Sequence, residues 1–96
     1  MKAWELLSKE DAWVRGSFAL DQNGDICSSN ADEACSWCTL GAINKCYPEY
    51  DLWCEVITKV EERLSRDVGC KLVTVWNDNE HRTQEEVVAL LKELDV

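Results

Sequence analysis

The sequence predicts a mainly α-helical protein: one small single domain, residues 1–96, with four helices and a minor β-hairpin. Apolar residues recur at spacings of three and four in several stretches, which is typical of helices with one buried face. The dipeptide Asn23-Gly24 separates two short apolar runs, as it does in tight hairpins. A chain of 96 residues with 46% hydrophobic residues is long enough to form one modest core.

The first two elements are an amphipathic helix over residues 2–14 and a hairpin over residues 18–27. Gly16 is expected to end the helix, because glycine is common just after helix ends. The hairpin turn is placed at residues 21–24, since Asn23 and Gly24 both tolerate a positive φ. The residues that share the buried face of the first helix are Ala3, Leu6, Leu7, Trp13 and Val14.

The stretch 31–46 is predicted to be the central helix around which the other elements pack. Asn30 and Asp32 offer side-chain oxygens for its N-cap. Few polar residues follow, so most of its circumference is apolar, as expected for a buried helix. The small residues Cys38, Gly41 and Ala42 would let a neighbouring backbone approach closely.

Two further helices are predicted in the second half of the chain. After Pro48, one helix has a clear apolar stripe and ends near Gly69. Residues 72–76 are predicted to be a strand or a buried extended link, followed by a polar loop over residues 77–82. Thr83 and Glu86 have the spacing of a capping box, which predicts the start of the last helix. The apolar stripes of these helices are Trp53, Val56, Ile57, Val60 and Leu64, then Val87, Leu90, Leu91 and Leu94.

Charge and terminal composition restrict the possible partners and location. The net charge is −9, and residues 10–58 contain nine acids but only two bases. Such a negative field disfavours direct binding to nucleic acid or to anionic membranes and favours basic surfaces. The first residues are too short and too polar a run for a signal peptide or a membrane span. We therefore expect a cytoplasmic protein whose six cysteines are reduced.

Several short motifs together resemble a family of small uncharacterised bacterial and phage proteins. In that family a W-C-x-x-G-A helix precedes an N-D-x-x-x-R-T loop and a terminal E-V-x-x-L-L helix. The matching residues here are Trp37, Cys38, Gly41, Ala42, Asn77, Asp78, Arg82 and Thr83, with residues 19–24 matching an earlier A-x-D-x-x-G stretch. The resemblance implies a phage or mobile-element setting. By analogy with other small acidic phage proteins, it suggests an inhibitor of host defence, such as an anti-CRISPR or anti-restriction protein.

The pair Cys35-x-x-Cys38 offers a first candidate site. A zinc site would need two further ligands, for which Cys46, Cys54, Cys70 and His81 are available. A redox site would place its first cysteine at a helix N-terminus after a strand. Packing of cysteine as a small apolar residue is the interpretation favoured by the pattern. We accordingly expect no cofactor, with a thiol or zinc protein as the alternative.

Two other patterns suggest chemistry less strongly. Asp21-x-Asn23-x-Asp25 resembles the start of a calcium loop, but the glycine and bidentate glutamate that such a loop requires are missing. Asp78 and His81 could form a small hydrolytic site, since histidine is the usual general base. No nucleophile is paired with His81 in a recognisable pattern, so loop and cap roles are favoured.

The acidic half of the chain provides the favoured functional hypothesis. The competing interpretation is an ordinary solvated face that only keeps the protein soluble, which is the commonest role of surface charge. Carboxylates on a rigid scaffold imitate phosphates, and nearby aromatic residues anchor protein interfaces. We expect a non-enzymatic module that binds a basic protein surface, such as that of a nucleic-acid-binding host protein. The predicted contact residues are Asp21, Asp25, Asp32, Glu33, Glu49, Tyr50, Asp51, Trp53 and Glu55.

Overall fold

The computed structural model describes residues 1–68 and 72–96, with the side chains of residues 67 and 68 outside the description. Helices dominate these residues and one two-stranded antiparallel sheet accompanies them, so the mainly α prediction with a minor β element is confirmed. The described residues form five helices, one more than predicted. In chain order the elements are α1 (Ala3–Leu7), β1 (Ala19–Asp21), β2 (Ala34–Trp37), α2 (Thr39–Cys46), α3 (Tyr50–Val68), α4 (Val73–Asn77) and α5 (Gln84–Leu94).

The predicted central helix over residues 31–46 is wrong in its first half. Residues Ala34–Trp37 form β2, which pairs with β1 so that Trp37 lies opposite Ala19. The backbone N–H of Trp37 also donates to Ala12 O at 2.7 Å. Helix α2 therefore begins only after Cys38, and Asn30 and Asp32 do not cap it. Over so few residues, an apolar run is compatible with both the helical and the strand periodicity. The available backbone partners decide that this run forms a strand.

The predicted hairpin turn is present, although its strand has a different main partner. Gly24 has a φ of 82° and donates to Asp21 O at 3.0 Å, which closes the turn. Ile26 forms only an isolated bridge to Leu20, whereas β1 forms its ladder with β2, with a register shift between Leu20 and Asp21. The Asn-Gly dipeptide was therefore sufficient to predict the turn, but not the pairing of β1 with β2.

Helix α1 is much shorter than the predicted span of 2–14. The chain leaves the helix after Leu7, and Asp11 adopts a left-handed φ of 58°. Trp13 then forms an isolated parallel bridge with Trp37, and Val14 N donates to Trp37 O at 3.1 Å. Residues 8–11 form turns, and residues 12–14 then lie along the edge of β2, because their backbone groups pair with those of Trp37.

The two other long helices are close to prediction. Helix α3 buries Val56, Val60 and Leu64 of its predicted stripe, while the predicted stop at Gly69 lies outside the described residues. Helix α5 begins at the predicted capping box. Between them, residues 73–77 are helical as α4, so the predicted strand or extended link is wrong.

The core joins helices from both ends of the chain. Helix α1 packs against α2 and α5, and Ala3 N donates to Val96 O at 2.8 Å. Leu7, Ile43 and Leu91 are fully buried, each stabilising the fold by about 1.5–3 kcal/mol. Among the described residues, no helix is both long enough and apolar enough to cross a membrane.

Candidate functional site

The first predicted contact group lies on the turn and loop of the hairpin region. Asp25, Asp32 and Glu33 are exposed. Asp21 is half-buried, and its Oδ1 accepts from Asn23 N at 2.9 Å and from Asp25 N at 3.0 Å. Its carboxylate therefore holds the turn together, whereas the other three acids face solvent.

The second group surrounds the start of α3, and we define the α3 acidic surface as Glu49, Tyr50, Asp51, Trp53 and Glu55. The three carboxylates are exposed, and Tyr50 exposes 74% of its surface. The ring of Tyr50 lies 6.1 Å from that of the half-buried Trp53, centroid to centroid. Acids in the first turn also suit the positive end of the helix dipole.

Sequence reasoning missed one exposed apolar side chain at this surface. Leu52 exposes 41% of its surface next to Asp51. Its position outside the buried stripe of α3 was the signal that could have revealed it. The next base along the helix is Lys59. Its Nζ donates a hydrogen bond to Leu94 O at 2.7 Å, which directs that charge toward the end of α5.

The predicted acidic face is thus divided between two elements. The hairpin loop is tied to α2 by the hydrogen bond from Asn30 Nδ2 to Asn44 Oδ1 at 2.9 Å. The α3 acidic surface begins at Glu49, three residues after the end of α2 at Cys46. Of the two groups, only the α3 acidic surface combines exposed carboxylates with the aromatic side chains that were predicted as anchors.

The two cysteines of the Cys35-x-x-Cys38 pair have different environments. Cys35 is exposed on β2, and its thiol donates to Leu20 O at 3.6 Å. Cys38 is buried at the N-cap of α2, where its sulfur accepts from Gly41 N at 3.3 Å. Burial raises the pKa of the Cys38 thiol, outweighing the backbone N–H groups of Gly41 and Leu40, which lower it.

The remaining thiol and metal hypotheses gain no support from this geometry. Burial is also the main cause of the raised pKa of the Cys46 thiol. It is the main cause for Cys27 as well, and the Asp21 and Glu33 carboxylates raise the pKa of that thiol further. In the described part of the chain, no three His, Cys, Asp or Glu side chains are grouped to hold a metal ion. Cys70, one predicted zinc ligand, lies outside the described residues. The zinc alternative stays a prediction, testable by metal analysis of protein purified without chelator.

The structure gives Asp78 and His81 separate roles. Asp78 Oδ1 accepts from Gly16 N at 2.9 Å and from Asn77 Nδ2 at 3.0 Å. His81 is exposed to solvent beside Glu80, with 3.3 Å between Nε2 and Oε1. The Asp78 carboxylate is therefore held by the 16–18 segment, while the imidazole faces outward.

Asn77, placed in the predicted polar loop, is instead the fully buried last residue of α4. Its Oδ1 accepts from Trp13 Nε1 at 2.7 Å, from Thr39 N at 2.9 Å and from Thr39 Oγ1 at 2.6 Å. Its Nδ2 donates to Val14 O at 3.2 Å and to Asp78 Oδ1 at 3.0 Å. We name these residues the Asn77 network: it joins α4 to the start of α2 and to the sheet edge.

The other motif residues also make contacts within the fold. Trp37 is buried and its Nε1 donates to Ser29 O at 2.9 Å. A Cβ on Gly41 would lie 2.0 Å from Phe18 O, so only glycine fits where α2 meets the backbone before β1. The guanidinium of Arg82 lies 4.1 Å from the centroid of the Trp76 ring. Its Nη1 also forms an ion pair with Glu86 Oε2 at 3.1 Å.

Comparison with known families identifies the family to which the chain belongs. A family model described as a family of unknown function, DUF6197, matches residues 1–94. The chain belongs to DUF6197. The predicted resemblance to an uncharacterised family is thereby confirmed. No curated protein and no solved structure was found to match the chain. Because the description of DUF6197 states no activity, the function has to be argued from the surface of this member.

Proposed function

We propose that this DUF6197 protein is a non-enzymatic binding module that docks on a basic protein surface through the α3 acidic surface. One observation carries the proposal: Tyr50 exposes 74% of its surface between exposed carboxylates. A single exposed aromatic residue is common, but Tyr50 lies beside the ring of Trp53 and is flanked by exposed carboxylates. An apolar surface rimmed by polar groups is typical of protein-binding sites.

The aromatic side chain and the carboxylates of this surface are proposed to contribute differently to binding. Tyr50 would anchor the complex, because buried aromatic residues supply much of the binding energy at interfaces. Glu49, Asp51 and Glu55 would select a basic partner and accelerate its approach. The overall charge of −9 strengthens this preference.

The more specific form of the proposal concerns the partner. We propose a nucleic-acid-binding protein of a host cell, whose Lys/Arg-lined groove normally accepts phosphates. A phage or mobile-element protein that blocks a defence component, such as a CRISPR or restriction protein, would fit this chemistry. The protein would then act in the host cytoplasm. The exposed acids of the hairpin loop, Asp25, Asp32 and Glu33, would contribute longer-range attraction.

Affinity capture with matched variants tests the proposal. The immobilised protein is exposed to host-cell lysate at low and at high salt, and retained proteins are identified by mass spectrometry. The test variant carries Glu49→Lys, Asp51→Lys and Glu55→Lys, and a second variant carries Tyr50→Ser. The control carries Glu62→Lys, Glu80→Lys and Glu85→Lys, which makes the same change in net charge at exposed positions elsewhere.

The supporting result is a basic protein retained by the wild type and the control at low salt, but lost with either α3 variant. Its retention should also fall steeply as salt rises, because exposed charges are screened. Equal loss in the control would indicate unspecific attraction to net charge and would contradict the proposal. So would a partner whose retention is independent of salt and of the α3 substitutions.

A further inference from the structure

A pocket of about 400 Å³ opens next to the residues that precede β1 and close to α4. Its size falls within the range of small-ligand pockets, which span roughly 300–1,000 Å³. It is lined by residues 16–18 together with Ile26, Cys38, Thr74 and Asp78.

The walls of this pocket are large apolar side chains that the fold leaves in solvent. Phe18 exposes 56% of its surface and Ile26 exposes 78%. Single exposed apolar residues are common, but two that border the same pocket form a surface suited to an apolar stem. The half-buried Thr74 on α4 and the buried Cys38 also line the pocket.

Asp78 gives the pocket a fixed negative charge. Its Oδ1 is held by the hydrogen bonds from Gly16 N and Asn77 Nδ2. A carboxylate offers about four acceptor positions, so Asp78 can accept further donors from a ligand. Because it is already oriented by the fold, little side-chain freedom would be lost on binding.

The neighbouring cations are directed elsewhere. The guanidinium of Arg15 lies 5.0 Å from the centroid of the Trp13 ring and donates to Arg82 O. The guanidinium of Arg82 stacks on Trp76 and pairs with Glu86. The pocket thus combines apolar walls with a carboxylate, and its complement is a cation carried on an apolar stem.

We infer that this pocket binds an arginine side chain presented by the basic partner protein. The inference rests on the proposed function for the nature of that partner. The guanidinium would donate to Asp78 while its plane stacks on Phe18 and its methylene stem contacts Ile26. Arginine is favoured over lysine because its planar fork donates two parallel hydrogen bonds to a carboxylate and stacks on aromatic rings.

Titration of the ¹⁵N-labelled protein with the peptide acetyl-Gly-Arg-Gly-amide tests the inference without the natural partner. We expect saturable shifts at the amides of Gly16, Phe18 and Thr74. The matched peptide with uncharged citrulline should cause none, and the lysine peptide should bind more weakly. Asp78→Asn should weaken arginine binding about tenfold, since it removes the charge but keeps the oxygen that Gly16 and Asn77 require.

Two further variants complete the test. Phe18→Leu should weaken binding of the arginine peptide while leaving the walls apolar, which provides a second measurement if Asp78→Asn does not fold. Glu80→Gln removes a charge from an exposed side chain two residues away, so it should bind the peptide like the wild type.

Equal shifts from the arginine and citrulline peptides would overturn the inference, as would unchanged binding in Asp78→Asn or Phe18→Leu. Lysine binding as tight as arginine binding would overturn the assignment to arginine. The α3 triple variant should bind the arginine peptide normally. If the peptide binds normally but partner capture is unaffected by the α3 substitutions, only the proposed function is refuted. If the α3 substitutions abolish capture but the arginine peptide does not bind, only the pocket inference is refuted.

Discussion

The Asn77 network and the α3 acidic surface use polar side chains in opposite ways. In the network, one fully buried amide makes five hydrogen bonds, to groups from two other parts of the chain and to Asp78. At the α3 acidic surface, three carboxylates and Tyr50 face solvent. Buried polar groups must find partners inside the protein, whereas exposed ones remain available to other molecules.

This difference explains why the motif residues do not reveal the function. Trp37, Gly41, Asn77 and Arg82 all make contacts that assemble the fold. A family pattern built on such residues identifies the architecture. The binding chemistry of this member should instead depend on surface residues that the motif does not include.

The largest effect should come from removing the Asn77 amide. Asn77→Ala leaves Trp13 Nε1, the Thr39 donors and Val14 O without this partner in the interior. We expect the free energy of unfolding to fall by about 3–5 kcal/mol, measured by urea denaturation. The exposed Asn79→Ala should lose about 1 kcal/mol or less. Similar losses for the two variants would contradict the central role of the network.

Gly41→Ala should follow, because its Cβ would collide with the backbone carbonyl of Phe18. We expect a loss of about 2–4 kcal/mol in the free energy of unfolding, despite the better helix propensity of alanine. Gly16→Ala is the matched control: its φ is 80°, but no atom lies within 4 Å of the added Cβ. It should cost only about 1–2 kcal/mol, and a cost equal to that of Gly41→Ala would refute the close approach.

A smaller and pH-dependent effect is expected at the start of α5. Thr83 Oγ1 accepts from Glu86 N at 3.2 Å, and Thr83→Ala should lower the free energy of unfolding by about 1 kcal/mol. The Thr83 backbone N–H is the main cause that lowers the pKa of Glu86, and Arg82 lowers it further. The stability that Glu86 contributes is present above its ordinary pKa of 4.5 and is lost as pH falls through its lowered pKa.

Thermal unfolding between pH 7 and pH 2 measures this contribution. The wild type should lose part of its stability in the acidic range, and Glu86→Gln should show a smaller loss over the same range. An exposed control, Glu85→Gln, should keep the wild-type dependence on pH. Identical curves for all three proteins would show that the capping box does not contribute through its charge.

The smallest effect on stability should come from the α3 acidic surface. Glu49→Lys, Asp51→Lys and Glu55→Lys together should change the free energy of unfolding by about 1 kcal/mol or less, mainly through the helix dipole. The same variant should nevertheless lose the proposed partner. A strongly destabilised variant would show that these acids also hold the fold together, and the contrast with the Asn77 network would fail.

Sequence reasoning succeeded where the signal was local and long enough. The stripe of Val56, Val60 and Leu64 extends over several turns of α3, and the Thr83 capping box fixes the start of α5. The turn at Gly24 needed only the two residues that tolerate positive φ.

The wrong predictions concern residues whose conformation or burial depends on partners distant in sequence. Residues 34–37 form a strand because Ala19 and Ala12 offer backbone groups to pair with. Residues 8–14 leave the helix because Trp13 and Val14 pair with Trp37. Asn77 is buried because Trp13 and Thr39, both distant in sequence, donate to its side chain.

The sequence alone determined the mainly helical class, two of the long helices, the tight turn and the acidic character of residues 10–58, because each depends on neighbouring residues or on composition. Only the tertiary structure decided that the Trp37 region is a strand leading into a short helix, and that the predicted contact acids lie on two elements, the hairpin loop and the start of α3. The physical reason is that buried backbone and amide groups must be paired, and their partners here come from distant parts of the chain.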